Sequence, residues 1–442
     1  MPYILNAIYL MISLFMLPLW LYRMATTGEY VDGLWQKMSG AAPRSGNAAP
    51  VVWCHAAGVG EVLVLRSLLK RMQAERPNQN IVLSTYCKGG YSVARKTFPD
   101  IPIFYAPLDL TWSVRRAFNA LQPSLLILSE LELWPNLLLE ARRRGIPVVV
   151  VNSRINDKDF QFFQRIHFLL RAALPAIHWW GAQTDRDAGR ISYLLGKSRT
   201  CVEVVGSLKY AGAVRQRSNP ETQRLRHLLG FATSDIIFVA GSTHSPEEQV
   251  SVEVFESLRK NYPLLRLVLV PRNHTRFHTV ANLLDKLDSN YIRRSEIHEP
   301  LSRSASITLV DSVGELSAIW GLADFAFVGG SLTNKIGGQN MIEPAGFGVA
   351  TCFGPHVWNF ADTAEQLIQA NAAIQVGSPQ QLLEVLRRWL DCPEQAMETG
   401  KRAQQFVGAQ SSAVEKTFSA ITDALSDRGL QTDEPKTKNQ CG

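Results

Sequence analysis

From Val51 onward, short and nearly uninterrupted apolar runs alternate with amphipathic stretches, and the series occurs twice along the chain. A strand with one wet face reads apolar, polar, apolar. Runs such as 125–128 and 148–151 leave no polar face, so both sides must be covered. The first series predicts strands at residues 51–55, 81–85, 101–105, 125–128, 148–151, 178–182 and 201–205, with helical periodicity between them, as at 61–74 and 112–121. The second predicts strands at 236–240, 265–270, 307–310, 325–328 and 349–352, with helices dominating after Trp358. Strands alternating with helices give parallel sheets with helices on both faces. The expected fold is therefore α/β, with two doubly wound, Rossmann-like domains in tandem.

The short polar stretch 210–220 is the expected linker. It separates an N-terminal domain, 25–209, from a C-terminal domain, 221–425, and leaves 426–442 as a polar, disordered tail. Ligands of such sheets bind beyond the carboxyl ends of the strands. Two of these crevices facing one another are the expected site.

Ahead of the first strand, residues 3–22 carry no charge, and twenty residues at ~1.5 Å rise match the ~30 Å core of a bilayer. Trp20 and Tyr22 stand where an interfacial aromatic belt belongs. No Lys or Arg precedes the run, whereas Arg23, Lys37 and Arg44 follow it. Residues 1–24 are thus expected to be an uncleaved membrane anchor, spanning or interfacial, with the domains on the cytoplasmic side. The charge agrees with this. Residues 1–205 hold 23 Lys+Arg and 14 Asp+Glu, net +9, against 23 and 25, net −2, for the remainder of the 46 and 39. A basic N-terminal half suits anionic lipid or a phosphorylated acceptor, or is simply a solvated basic face. No zinc finger or basic-aromatic module is present, so no nucleic-acid partner is expected. The six cysteines have neither zinc spacing nor a disulfide pattern and are expected to be buried free thiols in a reducing compartment.

The motifs follow the strands. After 51–55 comes Ala56-Ala57-Gly58-Val59-Gly60-Glu61. A dinucleotide fingerprint would need a third glycine, where Leu63 stands, and an acid after the second strand, where Ser84-Thr85-Tyr86 stands. Glu61 is expected to open a helix whose dipole favours its ionised form, leaving it able to accept a hydroxyl proton. A helix-start acid without chemistry is the plainer alternative. After 125–128 comes Ser129-Glu130-Leu131-Glu132-Leu133-Trp134-Pro135-Asn136. Glu130 and Glu132 alternate, so on an extended chain only one would face the crevice.

In the second domain, Arg272 of Pro271-Arg272 can grip a phosphate with two N–H groups, and Lys209 of Gly206-Ser207-Leu208-Lys209, which closes the first domain, can add a cation. Either could equally be a structural ion-pair partner. The glycine-rich Val328-Gly329-Gly330-Ser331 and Gly337-Gly338-Gln339-Asn340-Met341-Ile342-Glu343-Pro344-Ala345 are expected to offer free backbone N–H groups to a phosphate. Glu343, one turn inside the helix that follows, would accept from ribose hydroxyls.

Taken in order, these strings resemble the 3-deoxy-D-manno-octulosonic acid (Kdo) transferases from about residue 30 to about 420. Most of the resemblance lies in Glu132-Leu133-Trp134-Pro135-Asn136 and in Gly337-Gly338-x-Asn340 with Glu343-Pro344-Ala345. Pro107-Leu108-Asp109, Ser242-Thr243-His244, Asp311-Ser312 with Gly314-Glu315-Leu316, and Gly354-Pro355-His356 with Asn359-Phe360 match as well. The resemblance implies a GT-B glycosyltransferase without metal or cofactor that uses CMP-Kdo as donor. It would transfer Kdo with inversion to the lipid A precursor (lipid IVA) at the cytoplasmic face of the inner membrane, in lipopolysaccharide synthesis. It implies Glu61 as base, and Lys209, Arg272, Asn340 and Glu343 as CMP ligands. Glu130, Glu132, Ser242, Gly337 and Gly338 complete the expected substrate site. Gly58 stands where such enzymes carry Ser, and Gln339 where they carry His. The alternatives are another GT-B transferase or epimerase acting on a UDP-sugar, or a membrane-bound scaffold without activity.

Overall fold

The computed structural model describes residues 2–27, 32–44, 50–196, 200–213 and 216–426. The chain divides into two compact units, one holding Met1–Ala211 with Ser412–Gly442 and the other Gly212–Ser411.

Unit 1 is built on seven parallel strands: β1 (Val51–His55), β2 (Asn80–Thr85), β3 (Ile103–Tyr105), β4 (Pro123–Ser129), β5 (Val148–Ser153), β6 (Ile177–Ala182) and β7 (Cys201–Val204). Their order is β3-β2-β1-β4-β5-β6-β7. Every residue of β1, β4 and β5 is buried, as unbroken apolar runs demand. One core, around Trp53, Phe118 and Trp180, covers one face, and a second, around Leu65, Leu69 and Ile127, covers the other. The chain reverses its winding between β1 and β4, which places a switch point at the ends of those two strands.

Unit 2 repeats the plan with β8 (Ile236–Thr243), β9 (Leu265–Pro271), β10 (Tyr291–Arg293), β11 (Ile307–Leu309), β12 (Phe325–Val328), β13 (Ala350–Phe353) and β14 (Ala373–Gln375). The order is β10-β11-β9-β8-β12-β13-β14, all parallel, with the switch point between β8 and β12. All twelve expected strands are present. The two that sequence did not indicate, β10 and β14, are three-residue edge strands without a fully buried run.

Three expectations need correction. The helix expected at 61–74 is two helices, Val59–Val64 and Arg66–Glu75, meeting at Leu65. The second domain does not run to 425, because the helix Ala413–Ser426 belongs to unit 1. Its Val414, Ile421 and Leu425 pack into the core behind β1, β4 and β5, each contributing roughly 1.5–3 kcal/mol by burial. Amphipathic spacing says that a helix must dock, but not on which sheet. Third, among the described residues only Cys54 and Cys352 are buried thiols, Cys392 is half-buried, and Cys87 and Cys201 are exposed. The expected tail after Ser426, and part of the expected linker, lie outside the described residues.

The uncharged N-terminal stretch is helical, Pro2–Thr27, with Pro18 inside it. The side chains of Trp20 and Arg23, on which the expected membrane orientation leaned, lie outside the described residues. Among the described residues, no helix is long and apolar enough to cross a membrane. Leu5 and Asn6 of this helix are buried against unit 1, whereas Leu10, Met11, Leu14, Phe15 and Leu17 are exposed.

Candidate active site

At the switch point of unit 1, β1 delivers His55 and the turn leading to Glu61, and β4 delivers Glu130 and Glu132. The turn Ala56–Gly60 is open: a Cβ at Gly58 or Gly60 would meet nothing within 4 Å. The neighbours therefore do not force glycine at either position, and the Gly58 departure costs no packing. Glu61 stands in the first turn of Val59–Val64, and its Oε2 accepts from Ala57 N at 2.6 Å. The expected ionised state is corrected. Burial, helped by the Glu132 and Glu130 charges and opposed by the Ala57 N–H, raises its pKa to about 8. A six-residue helix has too small a dipole to offset that desolvation.

The extended geometry assumed for Glu130 and Glu132 is also corrected. Glu130 has φ +58°, so the chain turns after β4 and both carboxylates act on Glu61. Glu132 Oε2 accepts from Trp134 Nε1 at 2.7 Å and lies 3.5 Å from His55 Nε2, an electrostatic approach rather than a formed hydrogen bond. Burial raises the Glu132 pKa, but His55 and Trp134 outweigh it and the net shift is downward. His55 is itself fixed by Ser84, whose Oγ lies 2.9 Å from Nδ1. Glu130 is shifted upward by burial, with Lys209, Asn152 and Arg154 opposing. Thus Lys209 acts on Glu130 within unit 1. Asn152 holds its turn by accepting from Leu208 N at 3.0 Å and Ser207 Oγ at 3.1 Å. The result is three carboxylates with divergent proton affinities around one strand end, the pattern of an acid–base site.

At the switch point of unit 2, Ser242 and Thr243 end β8 with His244 just after, Arg272 follows β9, and Gly329-Gly330-Ser331 follow β12. The expectation of free N–H groups in the first glycine loop is corrected. Glu247 is fully buried and fills that role: its Oε2 accepts from Gly330 N and His244 N, and its Oε1 from Ser331 N and Leu332 N, all at 2.6–2.9 Å. A Cβ at Gly329 would come within 2.6 Å of Thr243 Cα, so the close approach requires glycine. The second loop turns through Gly337 (φ +93°) and Gly338 (φ +82°), and Gly338 N is spent on Gly330 O at 2.7 Å.

Glu343 is not one turn inside a helix but the second residue of the short helix Ile342–Gly346. Asn340 ties to it, Nδ2 donating to Glu343 Oε1 at 3.0 Å. Gln339 bridges two groups: its Oε1 accepts from Arg272 Nε at 3.3 Å, and its Nε2 is 3.4 Å from His244 Nε2. Burial, with Arg276 and Arg272 nearby and Glu247 opposing, lowers the His244 pKa. Arg272 is exposed on the same rim as Gln339. Structure thus brings together Glu61, Glu130, Glu132 and Lys209 in unit 1, and Ser242, Arg272, Gly337, Gly338, Asn340 and Glu343 around one strand-end region of unit 2. Sequence reasoning did not single out Glu247 or His244. Nothing in His244-Ser245-Pro246-Glu247 marks a carboxylate that turns back onto the glycine loop; only the acid at the start of the helix that follows β8 was legible. Among the described residues, no group of three His, Cys, Asp or Glu side chains is placed to hold a metal ion.

Residues 33–212 match the family described as Glycos_transf_N, 3-Deoxy-D-manno-octulosonic-acid transferase (kdotransferase). The chain is 34% identical over 334 residues to the 3-deoxy-D-manno-octulosonic acid transferase of Haemophilus influenzae, covering 75% of this chain and 77% of that one. It is 29% identical over 425 residues to the 3-deoxy-D-manno-octulosonic acid transferase of Bordetella pertussis, covering 92% and 96%. Among solved structures, a UDP-GlcNAc 2-epimerase from Neisseria meningitidis superposes with a TM-score of 0.54 at 10% identity, over 84% of this chain and 100% of that one. That likeness speaks for the GT-B-like pair of parallel sheets alone. An identity of 34% over three quarters of both chains settles the assignment: the chain belongs to the 3-deoxy-D-manno-octulosonic acid transferase family of glycosyltransferases.

Proposed function

We propose that the chain is an inverting glycosyltransferase that moves Kdo from CMP-Kdo to a lipid A precursor in lipopolysaccharide synthesis. The observation that carries this reading is Glu61 at the switch point of unit 1, its proton affinity raised by burial beside Glu132, in a chain of this family. In the reaction, an acceptor hydroxyl oxygen bonds to the anomeric carbon of Kdo while that carbon's bond to the CMP phosphate oxygen breaks. The hydroxyl proton passes to the Glu61 carboxylate, and the bonding pair leaves with CMP. Arg272 takes the phosphate charge, Asn340 and Glu343 hold the nucleoside, and Lys209 supplies a second cation. CMP carries a single phosphate, so cationic side chains suffice and no metal or cofactor is invoked.

We also propose that the N-terminal helix rests its exposed Leu10, Met11, Leu14, Phe15 and Leu17 in the cytoplasmic face of the inner membrane, where the lipid acceptor lies. The basic excess of residues 1–205 favours that surface.

A transfer assay with radiolabelled CMP-Kdo and the lipid A precursor tests the activity. Label incorporated into lipid is the expected result; no incorporation in native membranes would refute it. Calorimetry with CMP and UDP separates this reading from a UDP-sugar enzyme, since CMP should be bound in preference. Arg272→Ala should weaken CMP binding by roughly 10–100-fold, the size of one lost charge-assisted hydrogen bond. Unchanged CMP affinity in that variant would remove Arg272 from the phosphate.

A further inference from the structure

The N-terminal helix is fastened to unit 1 by buried polar groups that a simple membrane tether does not need. Asn6 Oδ1 accepts from Thr111 N and Thr111 Oγ1, both at 3.0 Å, and from Asn136 Nδ2 at 3.2 Å. One turn later, Tyr9 OH donates to Asp109 Oδ2 at 2.9 Å. Residues three apart share a helix face, so this face docks while the opposite, apolar face stays exposed.

Asp109 is the hub. Besides Tyr9, its carboxylate accepts from Asn136 N at 2.9 Å and Leu137 N at 2.8 Å, and its backbone oxygen accepts from Asn136 Nδ2 at 2.5 Å. Asn136 and Leu137 lie in the first turn of Pro135–Arg143, where backbone N–H groups lack helical partners. The capping carboxylate therefore comes from a segment about 27 residues away. The residue just before that turn is Trp134, whose indole N–H holds Glu132. Asp109, Trp134 and His55 also line one small cavity of about 10 Å³.

We propose that Asp109 and Asn136 are positioning residues, through which Tyr9 and Asn6 respectively make the N-terminal helix a structural member of the catalytic lobe. The clamp fixes the Glu132–Trp134 turn against Glu61, so the helix contributes to turnover even where no bilayer is present. The proposal rests on the transferase reading above.

The test uses the full chain and acceptor lipid dispersed in detergent micelles. Tyr9→Phe and Asn6→Ala should each lower kcat roughly tenfold, the size of a lost hydrogen bond to a buried polar or charged group. The KM for CMP-Kdo should not change, because the proposed donor residues Arg272, Asn340 and Glu343 lie in unit 2, and Lys209, the unit 1 cation, follows β7 rather than the clamped turn. Ala7→Ser, exposed on the same helix and outside both the docked polar groups and the proposed lipid face, should leave kcat in detergent at the wild-type value. Amide hydrogen exchange is read alongside and needs no activity: the Asn136 and Leu137 amides should exchange faster in Tyr9→Phe and not in Ala7→Ser. Wild-type kcat, or wild-type protection of those amides, in both Tyr9→Phe and Asn6→Ala would overturn the proposal. Failure of the wild-type chain to transfer Kdo would count against the transferase reading, while the exchange result still decides the clamp.

Discussion

Glu61→Gln is expected to lower turnover by about 10²–10⁴-fold, the usual worth of general-base catalysis, with CMP binding unchanged. The amide keeps the size of the side chain and can still accept from Ala57 N, so the turn is preserved while the proton acceptor is lost. The wild-type pH profile follows from the raised pKa. A base must be deprotonated to act, so kcat/KM should climb as pH rises through about 8, and fall about tenfold per pH unit below it. Glu132→Gln tests the cause. It removes the negative neighbour that ranks next after burial in raising the Glu61 pKa, so the climb should move to lower pH. A Glu61→Gln enzyme with near-normal kcat, or a Glu132→Gln profile unmoved from the wild type, would show that the proton leaves by another route.

Much of this site was legible because sheets of this kind bind ligands where strands end, and unbroken apolar runs mark strand ends well. Val51–His55 and Phe325–Val328 were bounded to the residue, and the motifs at their ends fell at the two switch points. What was not legible was protonation and aim. Glu61 reads as an ordinary helix-start acid, and only the packing around it shows that desolvation outweighs a short helix's dipole. Glu130 and Glu132 read as alternating because nothing in Ser129-Glu130-Leu131 announces a left-handed residue at position 130, where a non-glycine costs of order 1 kcal/mol or more.

The same limit governs tertiary partners. Asn136 was visible as part of a distinctive string, but its partners sit at Asn6 and Asp109, distant in sequence. The stretch after Trp358 was legible as helical, yet nothing in it names the sheet that buries the helix Ala413–Ser426. Lys209 reads either as a cation for a ligand or as an ion-pair partner; in the fold its charge acts on Glu130. The glycine-rich loop shows the difficulty most plainly. Its composition offers N–H groups to an anion, and the anion that takes them is the protein's own Glu247.

That substitution of partner sets the second large expectation. Glu247→Ala should strip a carboxylate from four N–H groups, those of Gly330 and Ser331, which are buried, and those of His244 and Leu332, which are half-buried. An orphaned buried donor costs about 1–3 kcal/mol. Even with partial relaxation, the loss should reach about 4 kcal/mol, in the range reserved for severe core lesions. For a unit the size of Gly212–Ser411, this corresponds to a fall of roughly 8–16 °C in its melting temperature. Glu247→Gln should lie between the two, since its one carbonyl oxygen can accept from only part of the set while its NH₂ faces donors. Two units need not melt together, so amide exchange should assign the early transition to unit 2 and leave the β1–β7 sheet protected. The loop also sets the spacing of Gly330 and Gly338, through Gly338 N donating to Gly330 O. CMP affinity should therefore fall in Glu247→Gln at temperatures where the unit is still folded. A Glu247→Ala chain melting with the wild type, or a Glu247→Gln chain with intact CMP affinity, would mean that the loop holds its shape without that carboxylate.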